Sequence, residues 1–383
     1  MRKKVVVLGA SGSIGTQTLD VIKQHSTHYE LIGLSINSRI DIIEPTLIEH
    51  EQLMICVGSE ILAINYQRKY PNHTFVFGHQ GIIQLAQLTN ADVIVNAIVG
   101  YAGLQASIAA LKKGKTVALA NKESLVVAGY MIDDVINQYH GKLIPIDSEH
   151  SGVCQCLSKQ KENIHKIILT ASGGSLRHLT REQLKDVSIE EALSHPNWQM
   201  GAKITIDSAT MINKAFEVIE AHHLFKVDYD KIDVVIHPQS HVHAMVEYCD
   251  HSLIAQLGSP DMRIAISYAL SDGKHMPLNS HSLDLTQISQ LDFMPLDHQR
   301  YPLFQKVIEA AKHKDSLIAS VNGANEAVIE AFLNHKLSFY ELEEILLQTI
   351  SSLKRFELNT FEDIERADLL GREAIKQALG GRL

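Results

Sequence analysis

Three clusters of polar side chains interrupt the apolar pattern of this chain, and each contains residue types that can do chemistry. The first cluster, residues 147–150, reads Asp-Ser-Glu-His and follows an apolar run at 143–146. In a strand, Asp147 and Glu149 point to the same side. Two such carboxylates suit a hard divalent cation such as Mg²⁺ or Mn²⁺. The alternative interpretation is that a helix begins here.

The second cluster, residues 121–124, reads Asn-Lys-Glu-Ser and directly follows the apolar run 116–120. Residues at the carboxyl end of a parallel strand face the ligand crevice of an open sheet. Lys122 at that place can contact an anionic or carbonyl oxygen. The alternative is a helix start that Asn121 or Ser124 caps, with Glu123 interacting with the helix dipole.

The third cluster extends from residue 207 to residue 217. If it is helical, Asn213 and Lys214 lie four and three residues before Glu217 and share one helix face with it. Ser208 would then lie near the helix entrance. Serine, asparagine and lysine together suit a phosphate group, and Glu217 would add a further carboxylate. A surface Lys–Glu pair of small energetic value is the alternative.

Two loops lie between these clusters. Residues 171–175 read Ala-Ser-Gly-Gly-Ser after an apolar run, and small residues in such a place can offer backbone N–H groups to an anion. Residues 195–201 contain Trp198, the single tryptophan of the chain, beside proline and glycine. This second loop is either a packing anchor or a lid that closes over a ligand and excludes water.

A glycine pattern at the start of the chain predicts a nucleotide site. Gly9, Gly12 and Gly15 lie between the apolar run 5–8 and a stretch with helical spacing at 14–25. Glycines let the backbone turn tightly and approach a pyrophosphate, and the helix N-terminus supplies free N–H groups and partial positive charge. The pattern therefore indicates dinucleotide binding.

The end of the second apolar run favours one form of the nucleotide. An NAD site usually has Asp or Glu there, to hold the ribose 2′-hydroxyl. This chain has Asn37, Ser38 and Arg39 instead, and Arg39 can pair with a 2′-phosphate through two hydrogen bonds. NADPH is therefore preferred over NADH, although Asp41 lies close by.

The elements that must position these residues follow from the alternation of apolar runs and helical stretches. In residues 1–146, short β-branched runs alternate with helical spacing, which predicts a Rossmann-type, doubly wound parallel α/β sheet. Residues 147–273 mix strands, loops and polar motifs and predict an α+β catalytic domain. A polar, proline-containing connector is expected at 274–302, and a C-terminal helical bundle at 303–383.

Composition excludes several classes of protein. The chain has 383 residues, a formal net charge of −9 and no basic stripe, so no nucleic-acid partner is expected. No apolar stretch approaches the roughly 18 residues of a membrane span. The basic start is followed by too short an apolar run for a signal peptide, which favours a cytoplasmic protein. Four scattered cysteines predict neither a disulfide framework nor structural zinc.

Taken together, these motifs resemble the 1-deoxy-D-xylulose 5-phosphate reductoisomerase family. The resemblance rests on ordered segments between residues 9 and 263, and the helical tail agrees with the third domain of that family. The matching segments are 9–15, 121–125, 147–150, 172–174, 195–201, 207–217, 237–240 and 258–263.

The resemblance implies an enzyme of non-mevalonate isoprenoid biosynthesis. It would rearrange and reduce 1-deoxy-D-xylulose 5-phosphate to 2-C-methyl-D-erythritol 4-phosphate, with NADPH and Mg²⁺, Mn²⁺ or Co²⁺, as a homodimer. A different NADP-linked dehydrogenase of a small phosphorylated metabolite explains the first domain equally well, but not the three carboxylates and the separate phosphate set. A dinucleotide-sensing regulator would leave those polar clusters without a role.

The resemblance also implies a role for particular residues. The metal ligands would be Asp147, Glu149 and Glu217. The substrate oxygens would contact Lys122, Ser148 and Glu149. The phosphate end would be held by Ser172, His195, Ser208, Asn213 and Lys214.

The remaining implied roles concern the lid and the nucleotide. Trp198 and Met200 would belong to a flexible lid. NADPH would contact Ser11, Gly12, Ser13, Ile14, Asn121, Glu123 and Gly201. After the second strand, the family often has a basic triplet such as Gly-Lys-Asn, whereas this chain has its positive charge at Arg39. The particular contact to the 2′-phosphate is therefore open.

Overall fold

The protein consists of two compact units, each assembled from separate stretches of the chain. The computed structural model describes residues 1–98, 102–157, 163–198 and 200–380. Unit 1 comprises Met1–Ser124, Met131–Gln155 and Asp261–His281, and unit 2 comprises Leu125–Tyr130, Cys156–Pro260 and Ser282–Leu383. The four consecutive domains expected from the sequence divide the chain at other places, and that division stays a prediction.

Unit 1 is built on a seven-stranded parallel sheet of order β4-β3-β2-β1-β5-β6-β7. Its strands are β1 (Lys3–Leu8), β2 (Tyr29–Ser35), β3 (Met54–Val57), β4 (Thr74–Phe77), β5 (Val93–Asn96), β6 (Thr116–Leu119) and β7 (Lys142–Pro145). Its helices are α1 (Ser13–Gln24), α2 (Ile40–Glu49), α3 (Glu60–Lys69), α4 (Gly78–Ala86), α5 (Ala102–Leu111), most of α6 (Lys122–Tyr139), α7 (Ser148–Cys156) and α11 (Met262–Leu270). This confirms the predicted doubly wound sheet.

The apolar runs form strands because both faces of a parallel sheet are covered by helices. The last four residues of β1, Val5 to Leu8, are fully buried. The strand order changes direction between β1 and β5, which pair in parallel with Leu8 opposite Asn96. In open α/β sheets the ligand crevice lies outside the carboxyl ends of the strands at such a switch point. The glycine turn that follows β1 therefore lies where a nucleotide is expected.

Unit 2 contains a mixed five-stranded sheet of order β11-β10-β8-β9-β12. The strands are β8 (Ile164–Ala171), β9 (Ile232–Ile236), β10 (Val242–Tyr248), β11 (Leu253–Leu257) and β12 (Met294–Pro295). Within the expected connector, Met294 and Pro295 thus form a short strand that pairs with β9. The helices are α8 (Ile189–Leu193), α9 (Ala202–Ala209), α10 (Ile212–Phe225), α12 (Pro302–Ala311), α13 (Leu317–Leu333), α14 (Phe339–Ser352) and α15 (Phe361–Ala378). The last four are the predicted helical tail.

The structure corrects the local interpretation of one polar cluster. The strand β7 ends at Pro145, and α7 begins at Ser148, so Asp147 and Glu149 do not lie on one strand. The premise that strand alternation aligns them was wrong, and the helix start is right. The likewise considered helix start at residues 121–124 is confirmed, because Asn121 caps α6.

In the part of the chain that the structure describes, no helix combines the length and the apolar character required to cross a bilayer.

Candidate active site

The glycine turn of unit 1 is held by close backbone contacts. Gly9 has a φ of +82°, and a Cβ there would lie 2.6 Å from the carbonyl oxygen of Ala97. A Cβ on Gly15 would lie 2.2 Å from the carbonyl oxygen of Gly9. Gly12 forms the N-cap of α1 without a side-chain cap. Neither Gly9 nor Gly15 tolerates a side chain, and the first turn of α1 presents N–H groups that suit a pyrophosphate.

The predicted determinants of cofactor choice follow β2. The Asn37 carbonyl accepts a hydrogen bond from the Gly58 N–H at 2.8 Å, and the Ser38 carbonyl accepts one from the Tyr66 hydroxyl at 3.2 Å. These bonds fix the backbone of the segment. The Arg39 guanidinium is 3.2 Å from the Asp41 carboxylate, and both side chains are 65% exposed. Such an exposed pair is weak, so Arg39 can exchange this partner for a phosphate.

A buried ion pair lies at the carboxyl ends of β6 and β7. The Lys122 ammonium is 2.5 Å from the Asp147 carboxylate, and both side chains are largely buried. Burial by itself would raise the pKa of Asp147, but Lys122 and His150 hold that pKa well below its usual range. Asp147 is therefore an ionised carboxylate beside a lysine, and it can accept a hydrogen bond or bind a cation.

The neighbouring side chains complete this end of unit 1. Ser148 donates a hydrogen bond to the Glu149 carboxylate in the first turn of α7. The Asn121 side-chain oxygen accepts the Ser124 N–H at 2.9 Å, which fixes the start of α6 and thereby the position of Lys122. Glu123 lies in the first turn of α6, where a negative charge is favoured by the helix dipole.

In unit 2, Ser172 and His195 are joined by a hydrogen bond of 2.9 Å between Oγ and Nε2. The His195 Nδ1 accepts the backbone N–H groups of Asn197 and Trp198, at 3.2 and 3.0 Å. Because Nδ1 is an acceptor, the ring proton lies on Nε2, which donates to Ser172. Burial, with a contribution from Arg177, also lowers the pKa of His195. His195 is thus neutral and has a defined tautomer.

This arrangement fixes the direction of the Ser172 hydroxyl. Ser172 Oγ also accepts the Gly174 N–H at 3.1 Å. With two donors directed at its oxygen, the hydroxyl hydrogen remains to donate to a third group. Ser172 is therefore prepared as a donor to an anionic oxygen, which fits the predicted phosphate contact.

The Ser172 loop packs tightly against the end of α9. Gly173 and Gly174 have φ values of +81° and +76°. A Cβ on Gly174 would lie 2.6 Å from the Ala209 Cα and 2.7 Å from the Ser208 carbonyl oxygen. The glycine brings Ser172 and Ser208, which are 36 positions apart in the sequence, to the same place in unit 2.

The cluster at residues 207–217 is divided between two helices. Met211, at a φ of +65°, separates α9 from α10. In α10 the Asn213 side-chain amide donates to Glu217 at 2.5 Å, and the Lys214 ammonium pairs with the other Glu217 oxygen. The Lys214 and Glu217 side chains are only 4% and 2% exposed. The shared helix face is confirmed, and the interpretation as a surface Lys–Glu pair is wrong.

The predicted lid is anchored by Asn197, for which no role was predicted from the sequence. The Asn197 side-chain amide donates to the Pro238 carbonyl at 2.6 Å and to Ser240 Oγ at 2.9 Å. The Trp198 ring lies 6.0 Å from the ring of His243. The Pro-Asn turn at 196–197 was the available signal. Residue 199, inside the predicted lid, lies outside the described residues.

The structure gathers the predicted residues into two sets, each described within its own unit. Unit 1 collects the residues implied for the nucleotide except Gly201, together with Lys122, Asp147, Ser148 and Glu149. Unit 2 collects those implied for phosphate and lid, together with Glu217. Half-buried Met200 and exposed Gly201 precede α9, and no atom of the described residues lies within 4 Å of a Cβ on Gly201. Which molecule or ion each of these residues binds stays a prediction.

The fold and the site define a class of protein. A doubly wound sheet with a glycine turn at its switch point is typical of dinucleotide-dependent oxidoreductases, and the serine, histidine and lysine set of unit 2 suits a phosphorylated substrate. Family models extend this assignment over most of the chain. The 1-deoxy-D-xylulose 5-phosphate reductoisomerase model matches residues 5–129, and the models of that enzyme's C-terminal domains match residues 143–225 and 257–374.

Individual relatives agree with the family models. The chain is 43% identical over 380 residues to the 1-deoxy-D-xylulose 5-phosphate reductoisomerase of Geobacillus sp. (strain WCH70), which covers 98% of this chain and 100% of the relative. It is 41% identical to that of Lysinibacillus sphaericus (strain C3-41), over 97% and 98% of the two chains.

Solved structures are similar over the same length. The reductoisomerase from Zymomonas mobilis in complex with NADPH has a TM-score of 0.92 at 36% identity and covers 100% of both chains. A DOX-P reductoisomerase in complex with NADPH, fosmidomycin and magnesium has a TM-score of 0.91 at 36% identity, over 98% of each chain. The chain belongs to the 1-deoxy-D-xylulose 5-phosphate reductoisomerase family.

Proposed function

We propose that this protein converts 1-deoxy-D-xylulose 5-phosphate into 2-C-methyl-D-erythritol 4-phosphate, with NADPH as the hydride donor and a divalent cation, Mg²⁺, Mn²⁺ or Co²⁺. The observation that carries the proposal is that the family similarity extends over the whole chain, and not only over the nucleotide-binding sheet. An ordinary NADP-linked dehydrogenase would share that sheet alone. The second unit, with its part-buried Ser172–His195 contact and its buried Lys214–Glu217 contact, would then have no chemical role.

The carboxylates of the chain fit a divalent cation. We assign Asp147, Glu149 and Glu217 as its ligands, and all three offer the oxygen donors that Mg²⁺ and Mn²⁺ prefer. Asp147 is held ionised, and Glu217 is almost fully buried among hydrogen-bond donors. Lys122 and Lys214 each pair with one of these carboxylates, and a bound cation would replace the lysine as the positive partner of that carboxylate. When bound, the cation supplies Lewis acidity toward the carbonyl and hydroxyl oxygens of the substrate.

The chain's own residues would hold and orient the substrate. Lys122 and Ser148 would contact the oxygens of the reacting carbons. Ser172 would donate its free hydroxyl hydrogen to the phosphate, with Ser208, Asn213 and Lys214 as the further phosphate contacts. Trp198 and Met200 would close over the site, and exclusion of water would protect the fragments formed while the carbon–carbon bond is broken.

The activity is tested by mixing the protein with NADPH, Mn²⁺ and 1-deoxy-D-xylulose 5-phosphate and following the absorbance of the reduced nicotinamide. We expect oxidation that requires both substrate and metal. Replacing Glu217→Gln should lower turnover strongly and weaken activation by Mn²⁺. Glu343→Gln is the matched control, because Glu343 is a fully buried carboxylate of unit 2 outside the proposed site. Absence of metal-dependent oxidation by the unaltered protein would refute the proposal.

We further propose that the protein is a cytoplasmic homodimer. The support from the chain is the edge strand β11, on which Leu253, Ile254 and Leu257 are 51%, 45% and 38% exposed. An exposed apolar strand edge is a template for pairing with another chain, and native proteins commonly cover or blunt such edges. A second copy of the same strand is the occupant with matching character.

The dimer is tested by light scattering after size-exclusion chromatography. Ile254→Glu should shift the protein toward a monomer, because the charge opposes burial of the strand. Ile48→Glu is the control, since Ile48 is 78% exposed on α2 and is not part of that edge. A monomeric unaltered protein, or an Ile254→Glu variant with unchanged mass, would contradict the proposal.

A further inference from the structure

A group of metal-binding side chains lies in unit 2 at the opposite end of β8 from the candidate phosphate set. His165, Glu247 and His251 each offer one donor atom, and these atoms all lie within 4.8 Å of one another. His165 stands near the beginning of β8, and Ser172 follows the end of that strand. At about 3.3 Å per residue, the two places are roughly 20 Å apart. The group therefore does not belong to the proposed phosphate site.

An irregularity of the sheet brings His165 into this group. Between β8 and β10, Glu247 pairs with Lys166 and Tyr248 pairs with Ile164, so His165 is an extra residue without a partner. Such a β-bulge bends the strand and redirects a side chain that would otherwise alternate with its neighbours. The His165 ring lies 5.5 Å from the His251 ring, at an angle of 80° between the planes.

His251 reaches the same carboxylate from the hairpin between β10 and β11. Its backbone adopts a φ of +64°, and its N–H donates to the Tyr248 carbonyl at 2.8 Å. The Tyr248 N–H in turn donates to the Ser252 carbonyl at 3.0 Å, which closes the hairpin. His251 Nδ1 is 2.9 Å from Glu247 Oε1. The histidines thus approach one glutamate from two different elements.

The charges around the group are suited to a cation. The nearest lysine on β8, Lys166, is 2.8 Å from Asp233 and is therefore engaged with another carboxylate. As an isolated exposed pair, His251 and Glu247 would contribute little to stability. Two imidazoles and one carboxylate, in contrast, are a frequent ligand set for Zn²⁺, with the fourth position left to water.

We propose that His165, Glu247 and His251 form a binding site for a transition-metal cation of the Zn²⁺ type, separate from the divalent cation of the proposed reaction. Imidazole nitrogen suits Zn²⁺, Ni²⁺ and Cu²⁺, whereas Mg²⁺ prefers oxygen ligands. The two sites therefore differ in the metal that they select. An ion at this site cross-links the start of β8 to the β10–β11 hairpin and opposes local opening of that end of the sheet.

The test uses the untagged full-length protein and Zn²⁺, titrated calorimetrically in the presence of excess Mg²⁺. Mg²⁺ occupies sites made of carboxylates and competes poorly for imidazole. We expect one equivalent of Zn²⁺ to bind and the melting temperature to rise. In the double variant His165→Gln/His251→Gln, we expect the affinity of that equivalent to fall at least tenfold, since removal of a mere supporting group already costs about 10- to 100-fold.

Matched variants separate this site from other ligands of Zn²⁺. His335→Gln removes another exposed histidine of unit 2 whose backbone, like that of His251, is in the left-handed conformation. Cys249→Ser removes the exposed thiol of the β10–β11 hairpin. Both variants, and Glu217→Gln as well, should still bind one equivalent of Zn²⁺ with unchanged affinity. The circular dichroism spectrum shows whether the double variant is folded. An unaltered protein that binds no Zn²⁺ under these conditions, or a folded double variant with unchanged affinity, would overturn the proposal.

Discussion

The substitution Gly174→Ala examines whether the Ser172 loop must pack against α9 in the way the structure shows. Its added Cβ would lie 2.6 Å from the Ala209 Cα and 2.7 Å from the Ser208 carbonyl oxygen. Both partners are backbone atoms, which cannot move aside like the end of a flexible side chain. The residue also has a φ of +76°, which L-residues rarely adopt. The loop must therefore shift away from the helix, or the backbone must rearrange.

The cost of this substitution can be estimated in three parts. The left-handed backbone costs an L-residue about 1–2 kcal/mol, and overpacking costs about 1–3 kcal/mol. The lower entropy of the unfolded chain returns about 0.4–1 kcal/mol. The free energy of unfolding should fall by roughly 3 kcal/mol, which lowers the melting temperature by roughly 6–12 °C for a unit of this size. The shifted loop should also raise KM more than it lowers kcat.

The measurement is denaturant unfolding followed by circular dichroism, together with steady-state kinetics. Gly78→Ala is the matched control, because Gly78 has a φ of +64° but, among the described residues, no atom within 4 Å of its added Cβ. It isolates the cost of the backbone conformation, about 1 kcal/mol. Equal losses of stability in the two variants, with an unchanged KM for Gly174→Ala, would show that the contact with α9 is not tight and that the reasoning is wrong.

Three further predictions concern the nucleotide and the phosphate end. Gly15→Ala should abolish NADPH binding in a fluorescence titration, because its Cβ would lie 2.2 Å from the Gly9 carbonyl oxygen. Gly12→Ala should weaken NADPH binding only slightly, because its Cβ would lie 3.4 Å from the same oxygen. Similar affinities of the two variants for NADPH would contradict this prediction. Arg39→Ala should reduce the preference for NADPH over NADH in kcat/KM, and an unchanged ratio would exclude Arg39 as the 2′-phosphate ligand. Burial lowers the pKa of His195 in the folded protein, so below a pH of about 6.5 the unfolded chain binds more protons than the folded chain. The free energy of unfolding therefore decreases as the pH falls through this range. His195→Gln should make this decrease smaller in denaturation measured between pH of about 7 and 5, and an unchanged slope would refute it.

Much of unit 1 could be predicted from the sequence because its signals are local. Apolar runs of four to seven residues form the buried strands of a parallel sheet wherever helices cover both faces. The turn after β1 was predictable in part because the contacts that exclude a side chain at Gly15 come from Gly9 and Ala10 of the same turn, whereas those at Gly9 come from Ala97 beyond β5. Asn121 likewise caps the helix that begins beside it.

Other local signals were ambiguous, and the structure decided between them. Alternation in a strand would align Asp147 and Glu149, but β7 ends at Pro145, and the helix α7 carries Glu149. The two carboxylates were singled out from the sequence, but the strand geometry assumed for them was wrong. The family resemblance assigned them to a metal without that geometry, and this role stays a prediction that the Glu217→Gln experiment addresses.

The order of strands and helices, the nucleotide turn and the family resemblance could all be predicted from the amino-acid sequence. Which polar groups are buried, and which residues distant along the chain lie close together, became known from the folded structure. Lys214 and Glu217 have the spacing of an ordinary surface pair, yet both side chains are buried, as are most residues of α10. Gly174, two residues after Ser172, packs against the backbone of Ser208 and Ala209, and the His165 ring lies near the His251 ring at a β-bulge. Periodicity is a property of neighbouring residues, whereas burial and long-range contacts depend on how the whole chain packs.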